Sequence, residues 1–242
     1  MESKKIGAMA LLVAIALSIF GVAYAHWSDM AYIDGVVEMG GLTPAFTIDE
    51  APSCAEYYPN PDPPPILLPG EVEDKDVGEC RVWYSDLFKD VHSGKEGYRY
   101  LNIWINNSYP QYHVHTTFIL HNIGTIPFYF YGIAGYGEKI DYLGNLEYDL
   151  LVTSWIDDTD KQIYGEIWED INDDGKIDPA VDILVINLKI KNKAFPLQID
   201  PCFQEKMEID VDFKQEAQQC HTYYLHLSLL VIQWNKLYEV YP

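Results

Sequence analysis

The chain has 242 residues, of which 37 are acidic and 16 are lysine or arginine, so its formal net charge is −21 at pH 7. Such a charge repels the phosphates of nucleic acids and the anionic surface of membranes, which excludes nucleic acid as a partner. The same charge favours divalent cations and basic partners.

The N-terminus predicts export. Lys4 and Lys5 precede an apolar run at 6–22, which is followed by Ala-Tyr-Ala, the small-x-small pattern of a signal-peptidase site. We therefore predict that residues 1–25 are a signal peptide and that the mature chain, 26–242, is secreted or on the cell surface with no membrane segment. The alternative is a retained transmembrane anchor, for which about 20 apolar residues are needed.

The mature chain is predicted to be all-β, because apolar and polar residues alternate with period two and helical periodicity is nearly absent. The stretch Met207–Lys214 places Met, Ile, Val and Phe on one face of a strand. Further strands are predicted at 98–105, 114–122, 126–133, 162–169, 183–191 and 221–234. A single antiparallel β-sandwich domain accounts for this pattern.

Two segments interrupt the strand pattern and are predicted to be insertions between strands. Pro52–Val77 is rich in proline, and Asp157–Asp182 is acidic. Loops of this length inside a domain are usually functional or mobile.

Four cysteines in an exported chain without a CxxC motif predict disulfides. Their spacing allows three connectivities, and free thiols remain an alternative. We favour Cys54–Cys80, which closes the proline-rich segment, and Cys202–Cys220 at a C-terminal hairpin, because each pair joins neighbours in sequence.

The most specific chemical signal is a run that begins at Asp170 and matches the start of a D-x-[DN]-x-[DN]-G calcium loop. Gly175 permits the sharp turn that lets hard oxygen ligands converge on one ion. The predicted Ca²⁺ ligands are Asp170, Asn172, Asp174, the Lys176 carbonyl, Asp178 and Asp182. Asp182 comes one residue later than the usual closing ligand, so a plain acidic turn is the alternative.

A second acidic group precedes this loop. It contains Asp157, Asp158 and Asp160, which form either a solvated turn or a second calcium site. Asn106 begins an N-glycosylation sequon, which we expect on a surface loop.

No catalytic constellation appears, so the chain is not predicted to be an enzyme: H-E-x-x-H, G-x-S-x-G and glycine-rich phosphate loops are all missing. His113, His115 and His121 share one face of a predicted strand with zinc-like spacing, but that face is expected to be the outer one. The 19 tyrosines and six tryptophans suit either sheet packing or stacking on sugars.

Several segments of the mature chain resemble the camelysin/TasA-like family of exported filament subunits. These are the mature start His26-Trp27-Ser28-Asp29, the runs 107–112 and 118–127 (NSYPQY and FILHNIGTIP), and an ending that contains Gln198-Ile199-Asp200-Pro201 and Gln233-Trp234-Asn235. Archaeal bundling pili and cannulae are related members.

The resemblance implies a jelly-roll-like sandwich that polymerises with copies of itself by donor-strand complementation. Calcium is expected to promote assembly, because strongly acidic subunits repel one another and divalent cations offset that repulsion. The donor would be the segment 26–38, whose apolar residues are Trp27, Met30, Tyr32, Ile33, Val36 and Val37. The alternative places this segment as a strand of its own subunit. Another function class is a secreted carbohydrate-binding or matrix-adhesion module that recognises surface glycans. A protease is a further class, which no motif supports.

Overall fold

The computed structural model describes residues 40–56, 78–110, 112–191 and 194–236, and these hold twelve strands and one short 3-10 helix, Trp234–Lys236. The strands are β1 (Pro44–Phe46), β2 (Ser53–Glu56), β3 (Glu79–Lys89), β4 (Glu96–Ser108), β5 (His113–Asn122), β6 (Phe128–Ile140), β7 (Leu146–Ile156), β8 (Ile163–Glu169), β9 (Ile183–Lys191), β10 (Leu197–Ile199), β11 (Gln204–Phe213) and β12 (His221–Gln233). Within these ranges no helix is long and apolar enough to cross a membrane.

The strands pair antiparallel and close on themselves. From β4 the order runs through β12, β6, β7, β8, β9, β11 and β5, and β1 pairs with both β5 and β4. These nine described strands form a closed barrel, while β2, β3 and β10 pair with β5, β4 and β6 outside the ring. The all-β prediction is confirmed, and the jelly-roll-like sandwich stays a prediction.

The interior of the barrel is apolar and follows the alternation of the sequence. The inward side chains of β11, from Met207 to Phe213, are at most 3% exposed. On β5, Val114, Phe118 and Leu120 face the same core, as the sequence predicts. Because alternate residues of a strand point to opposite faces, the polar residues between them lie on the outside.

The acidic segment is not one insertion between strands, as its composition suggested. Strand β8 runs through it and leaves two turns, 157–162 and 170–182. Five strands were missed from sequence: the long strands β3 and β7 and the short strands β1, β2 and β10. β2 lies inside the segment 52–77 that was expected to be an insertion, and the strand expected at 126–133 extends to Ile140. The two long missed strands carry many exposed and half-buried residues, so their alternation is weak.

The turn between β3 and β4 is held by one carboxylate. Asp90 accepts hydrogen bonds from the N–H groups of His92 at 3.1 Å and Ser93 at 2.6 Å, and from the Thr43 hydroxyl at 2.5 Å. Burial raises the pKa of Asp90, but these hydrogen bonds outweigh it and hold the pKa below the usual value. The hairpin that carries β3 is thereby tied to the residues just before β1.

Candidate functional site

Strands β2 and β3 each have one sheet edge without a partner strand in the described parts of the chain. β3 pairs with β4 over its whole length, and β2 pairs with β5. The Cys54–Cys80 disulfide joins the two strands, with the Cα atoms 6.1 Å apart, which confirms that predicted pairing. We call this place the seam: the disulfide holds the two edges next to each other, while β1 pairs with β5 and with the edge of β4 that faces away from β3.

The core is less well covered at the seam than elsewhere. The inward residues of β3, namely Cys80, Val82 and Tyr84, are only partly buried. Their partners across the ladder on β4, Ile105, Ile103 and Leu101, are at most 1% exposed. The disulfide holds β2 close to β3 at Cys80, so an added strand would lie along the free edge of β3 beyond it, from Val82 onward, where it would cover partly buried side chains.

A stack of aromatic rings forms the floor of the seam. Tyr84 stacks on Phe46 with ring centroids 5.2 Å apart and on Tyr98 at 5.7 Å. Its hydroxyl accepts a hydrogen bond of 3.0 Å from the N–H of Ile119, and burial raises the pKa of Tyr84 to about 12. This stack connects β1, β3 and β4 to β5.

The predicted donor segment, 26–38, lies outside the described residues, as does most of the proline-rich segment. Where the described chain begins, the N–H of Gly41 donates to the Thr125 hydroxyl at 2.8 Å, and Thr125 donates back to the Gly41 carbonyl at 2.9 Å. These bonds anchor the chain before it enters β1.

The predicted calcium loop connects β8 to β9. Glu169 and Ile183 are the last paired residues of β8 and β9 before the loop. The next residue on each strand, Asp170 and Asp182, therefore lies at the base of the loop. Asp170 is 4% exposed, and its carboxylate accepts N–H hydrogen bonds from Asp174 at 3.3 Å and Gly175 at 2.8 Å. This side chain therefore organises the turn from inside.

Asp182 closes the other side of the same loop. It is 6% exposed and accepts hydrogen bonds from the N–H groups of Ile171 at 3.1 Å and Asp178 at 2.6 Å. Asp174 accepts from the side chain of Asn172 at 3.2 Å. Although Asp182 comes one residue later than the usual closing ligand, its carboxylate still reaches the start of the loop, at Ile171.

The loop suits calcium in its chemistry, because carboxylate, amide and carbonyl oxygens are the ligands that Ca²⁺ takes. Within the described ranges, however, no three acidic, histidine or cysteine side chains converge as a metal-binding group. The calcium assignment of Asp170, Asn172, Asp174, Lys176, Asp178 and Asp182 stays a prediction.

The second acidic group has local partners. Asp157 accepts the N–H of Thr159 at 2.7 Å, and Asp158 pairs with Lys161 at 2.9 Å. Asp160 accepts from the Tyr164 hydroxyl at 2.6 Å, which lowers the pKa of this carboxyl. These contacts are those of a hydrogen-bonded surface turn.

A buried charged cluster, which the sequence did not indicate, lies beside the calcium loop. Lys139 is fully buried, and its ammonium lies 3.0 Å from Glu169 and 3.3 Å from Glu147. Tyr223 donates to Glu169 at 3.3 Å. Burial raises the pKa of Glu169, although the lysine opposes that effect. Only the pairing of β6 with β7 and β12 reveals that this lysine points inward.

The strand histidines pair with carboxylates across the sheet. The Nδ1 atom of His113 lies 2.5 Å from Asp212, and that of His115 lies 2.9 Å from Asp210. These are cross-strand pairs between β5 and β11, which fit the expected outward position of both histidines.

The predicted Cys202–Cys220 disulfide is wrong, since both cysteines are free and exposed. Cys202 comes just before β11 and Cys220 comes after it. The two residues therefore sit at opposite ends of a ten-residue strand, roughly 33 Å long at about 3.3 Å per residue. Proximity in sequence does not bring them together, because an extended strand separates them.

No protein-family model matches the chain, and no curated protein or solved structure matches it either. Evidence for function therefore comes from the chain's own residues and their arrangement.

Proposed function

We propose that the mature protein is the structural subunit of an extracellular filament or tubule, and that subunits join when the N-terminal segment of one adds as a strand to the seam of the next. The observation that carries the proposal is the seam itself. An unpaired edge beside partly exposed core residues is a template for another strand. In this proposal the barrel is a flattened, jelly-roll-like sandwich bridged by β1.

The segment 26–38 has the composition of a donor. It presents large apolar side chains, including Trp27, Ile33 and Val37, that would cover the half-buried face of β3. Main-chain hydrogen bonds to the free edge would give affinity, and the apolar anchors would give register. The same proposal implies that the protein is exported to the cell surface and assembles with copies of itself.

Deleting residues 26–38 is expected to leave a folded monomer that forms no filaments, because the barrel from Gly40 onward keeps its own strands. Size-exclusion chromatography, circular dichroism and electron microscopy of the mature and truncated proteins would test this. A synthetic peptide of residues 26–38 is expected to bind the truncated protein.

Two double variants separate the effect of the apolar side chains on assembly from the effect of the segment's charges. Ile33→Asp with Val37→Asp should prevent assembly, whereas Asp34→Asn with Glu38→Gln, on the same segment, should not. Filaments from the truncated protein would refute the proposal, and loss of folding would place the segment in its own barrel.

We further propose that the loop 170–182 binds Ca²⁺ and that calcium promotes assembly. The oxygen-rich donor set and the position of Asp170 and Asp182 at the base of the loop support this proposal. Subunits with a large negative charge repel one another, and divalent cations offset that repulsion by bridging carboxylates.

Asp170→Ala with Asp174→Ala is expected to abolish calcium binding at the loop, measured by calorimetry. Asp174→Ala alone is the milder single variant, because Asp174 accepts one backbone N–H, that of Lys176 at 2.8 Å, whereas Asp170 accepts two. Asp200→Ala is the control, because Asp200 is exposed and belongs to neither acidic group. Light scattering should show that millimolar calcium promotes assembly more than sodium at equal ionic strength. Unchanged calcium stoichiometry in the double variant would contradict the assignment.

A further inference from the structure

A cleft of about 770 Å³ opens on the outer face of the barrel, over β4, β6 and β12. Trp104 and Tyr142 contribute aromatic rings to its wall, and Asn106, Asp141 and Thr222 contribute polar groups. Tyr142 is 77% exposed, so one wall is accessible from solvent. The cleft borders the seam strand β3 at Glu79 and is separate from the calcium loop in sequence, and neither proposed role uses its aromatic wall.

The cleft continues into an aromatic strip on the same face. The ladder aligns Tyr224 of β12 with Trp104 of β4 and Arg81 of β3, and the Arg81 guanidinium lies 5.0 Å from the centroid of the Trp104 ring. In the neighbouring row Trp83 stacks on Tyr224 at 5.8 Å and is 40% exposed. Exposed, ordered aromatic rings on one face are unusual for a surface that meets only water.

A buried amide holds these rings in place. Asn102 is fully buried on this outer face, and its oxygen accepts hydrogen bonds from the Tyr224 hydroxyl at 2.7 Å and from His226 at 2.6 Å. Its nitrogen donates to the Trp83 carbonyl at 3.2 Å and to Ser85 at 2.8 Å. The Tyr224 ring, on which Trp83 stacks, is therefore preorganised, which reduces the entropy lost when a ligand stacks on this strip.

The sequon asparagine is part of this cleft and not of a loop, which corrects the expectation from sequence. Asn106 lies in β4, two residues after Trp104, so both side chains point to the outer face. The oxygen of Asn106 accepts a hydrogen bond of 2.7 Å from Thr222. A sugar on the amide nitrogen would lie beside the Trp104 ring.

We propose that this cleft binds a neutral carbohydrate. Aromatic faces carry negative potential and attract the C–H face of a sugar ring, while carboxylate, amide and hydroxyl groups bond its hydroxyls. Asp141 in the wall disfavours sulfated or uronic sugars, whereas the charge of Glu79 is paired with Arg81. The sugar comes either from a glycan attached to Asn106 or from a polysaccharide around the cell.

The first arm of the test examines attachment. Intact-mass analysis of the protein secreted by its native host would show a glycan that is lost in Asn106→Gln and Ser108→Ala. Ser108→Thr keeps the sequon and should keep the modification. Glycan at this position supports the attached source.

The second arm examines binding with unmodified recombinant protein, using cellohexaose and chitohexaose as probes in titrations followed by tryptophan fluorescence and calorimetry. Trp104→Ala is expected to weaken binding roughly tenfold or more, as loss of one aromatic contact of about 1.4 kcal/mol implies. Trp155→Ala is the control, because Trp155 is 43% exposed on β7 and does not line the cleft. An unmodified Asn106 together with no binding, or with binding that Trp104→Ala leaves intact, would overturn the proposal.

Discussion

Replacing Lys139 with methionine is expected to lower the free energy of unfolding by about 3–5 kcal/mol, because the change leaves a buried carboxylate without its counter-ion. The ammonium of Lys139 contacts Glu169, which is 2% exposed, and Glu147. Methionine has similar length and leaves little cavity. Urea unfolding followed by tryptophan fluorescence would measure the change.

The pH dependence of the Lys139→Met variant provides a second readout. A carboxyl whose pKa is raised by folding holds its proton more tightly in the folded state, so its ionisation costs stability as pH rises above the ordinary glutamate value of about 4.3. Burial raises the pKa of Glu169 even with the lysine present. The difference in free energy of unfolding between wild type and Lys139→Met should therefore be smaller at acidic pH than at pH 7.

Two controls define this prediction. Lys206→Met removes a lysine whose side chain is 58% exposed, and it should change stability by less than about 0.5 kcal/mol. Lys139→Met combined with Glu169→Gln should recover part of the loss, since the uncompensated charge is gone. Equal stability of Lys139→Met and wild type at pH 7 would contradict the buried pair.

Removing the disulfide with Cys54→Ala and Cys80→Ala is expected to lower the free energy of unfolding by about 3.5 kcal/mol, from the chain entropy of a loop with a sequence separation of 26. The same change would release β2 from β3 and loosen the seam. Denaturant unfolding of the oxidised protein, its reduced form and the double variant would measure the effect, with the last two expected to agree.

Cys202→Ser with Cys220→Ser is the matched control, because both thiols are free and exposed. It should leave stability within about 0.5 kcal/mol of wild type. A loss below about 1 kcal/mol in the Cys54/Cys80 variant would mean that the seam is held by strand pairing and not by the cross-link. Comparing filament yield of the two double variants would then show whether a fixed seam matters for assembly.

The all-β class and much of the core could be predicted from the sequence. Alternation along Met207–Lys214 and around Phe118 identified which side chains are buried, because the face of a strand residue depends only on its own segment. Cys54 and Cys80 were paired correctly because they flank the proline-rich segment. The acidic turn 170–182 was also located, since Asp, Asn and Gly mark turns through local backbone preferences.

Which strand edges meet could be seen only in the folded chain. The seam, the inward position of Lys139 and the separation of Cys202 from Cys220 all depend on strand order and register. The cleft likewise needs Trp104 and Thr222, which lie on neighbouring strands but are far apart in sequence. Strand order and register are set by contacts between segments that are distant in sequence. The alternation within one segment does not indicate which other segment it pairs with.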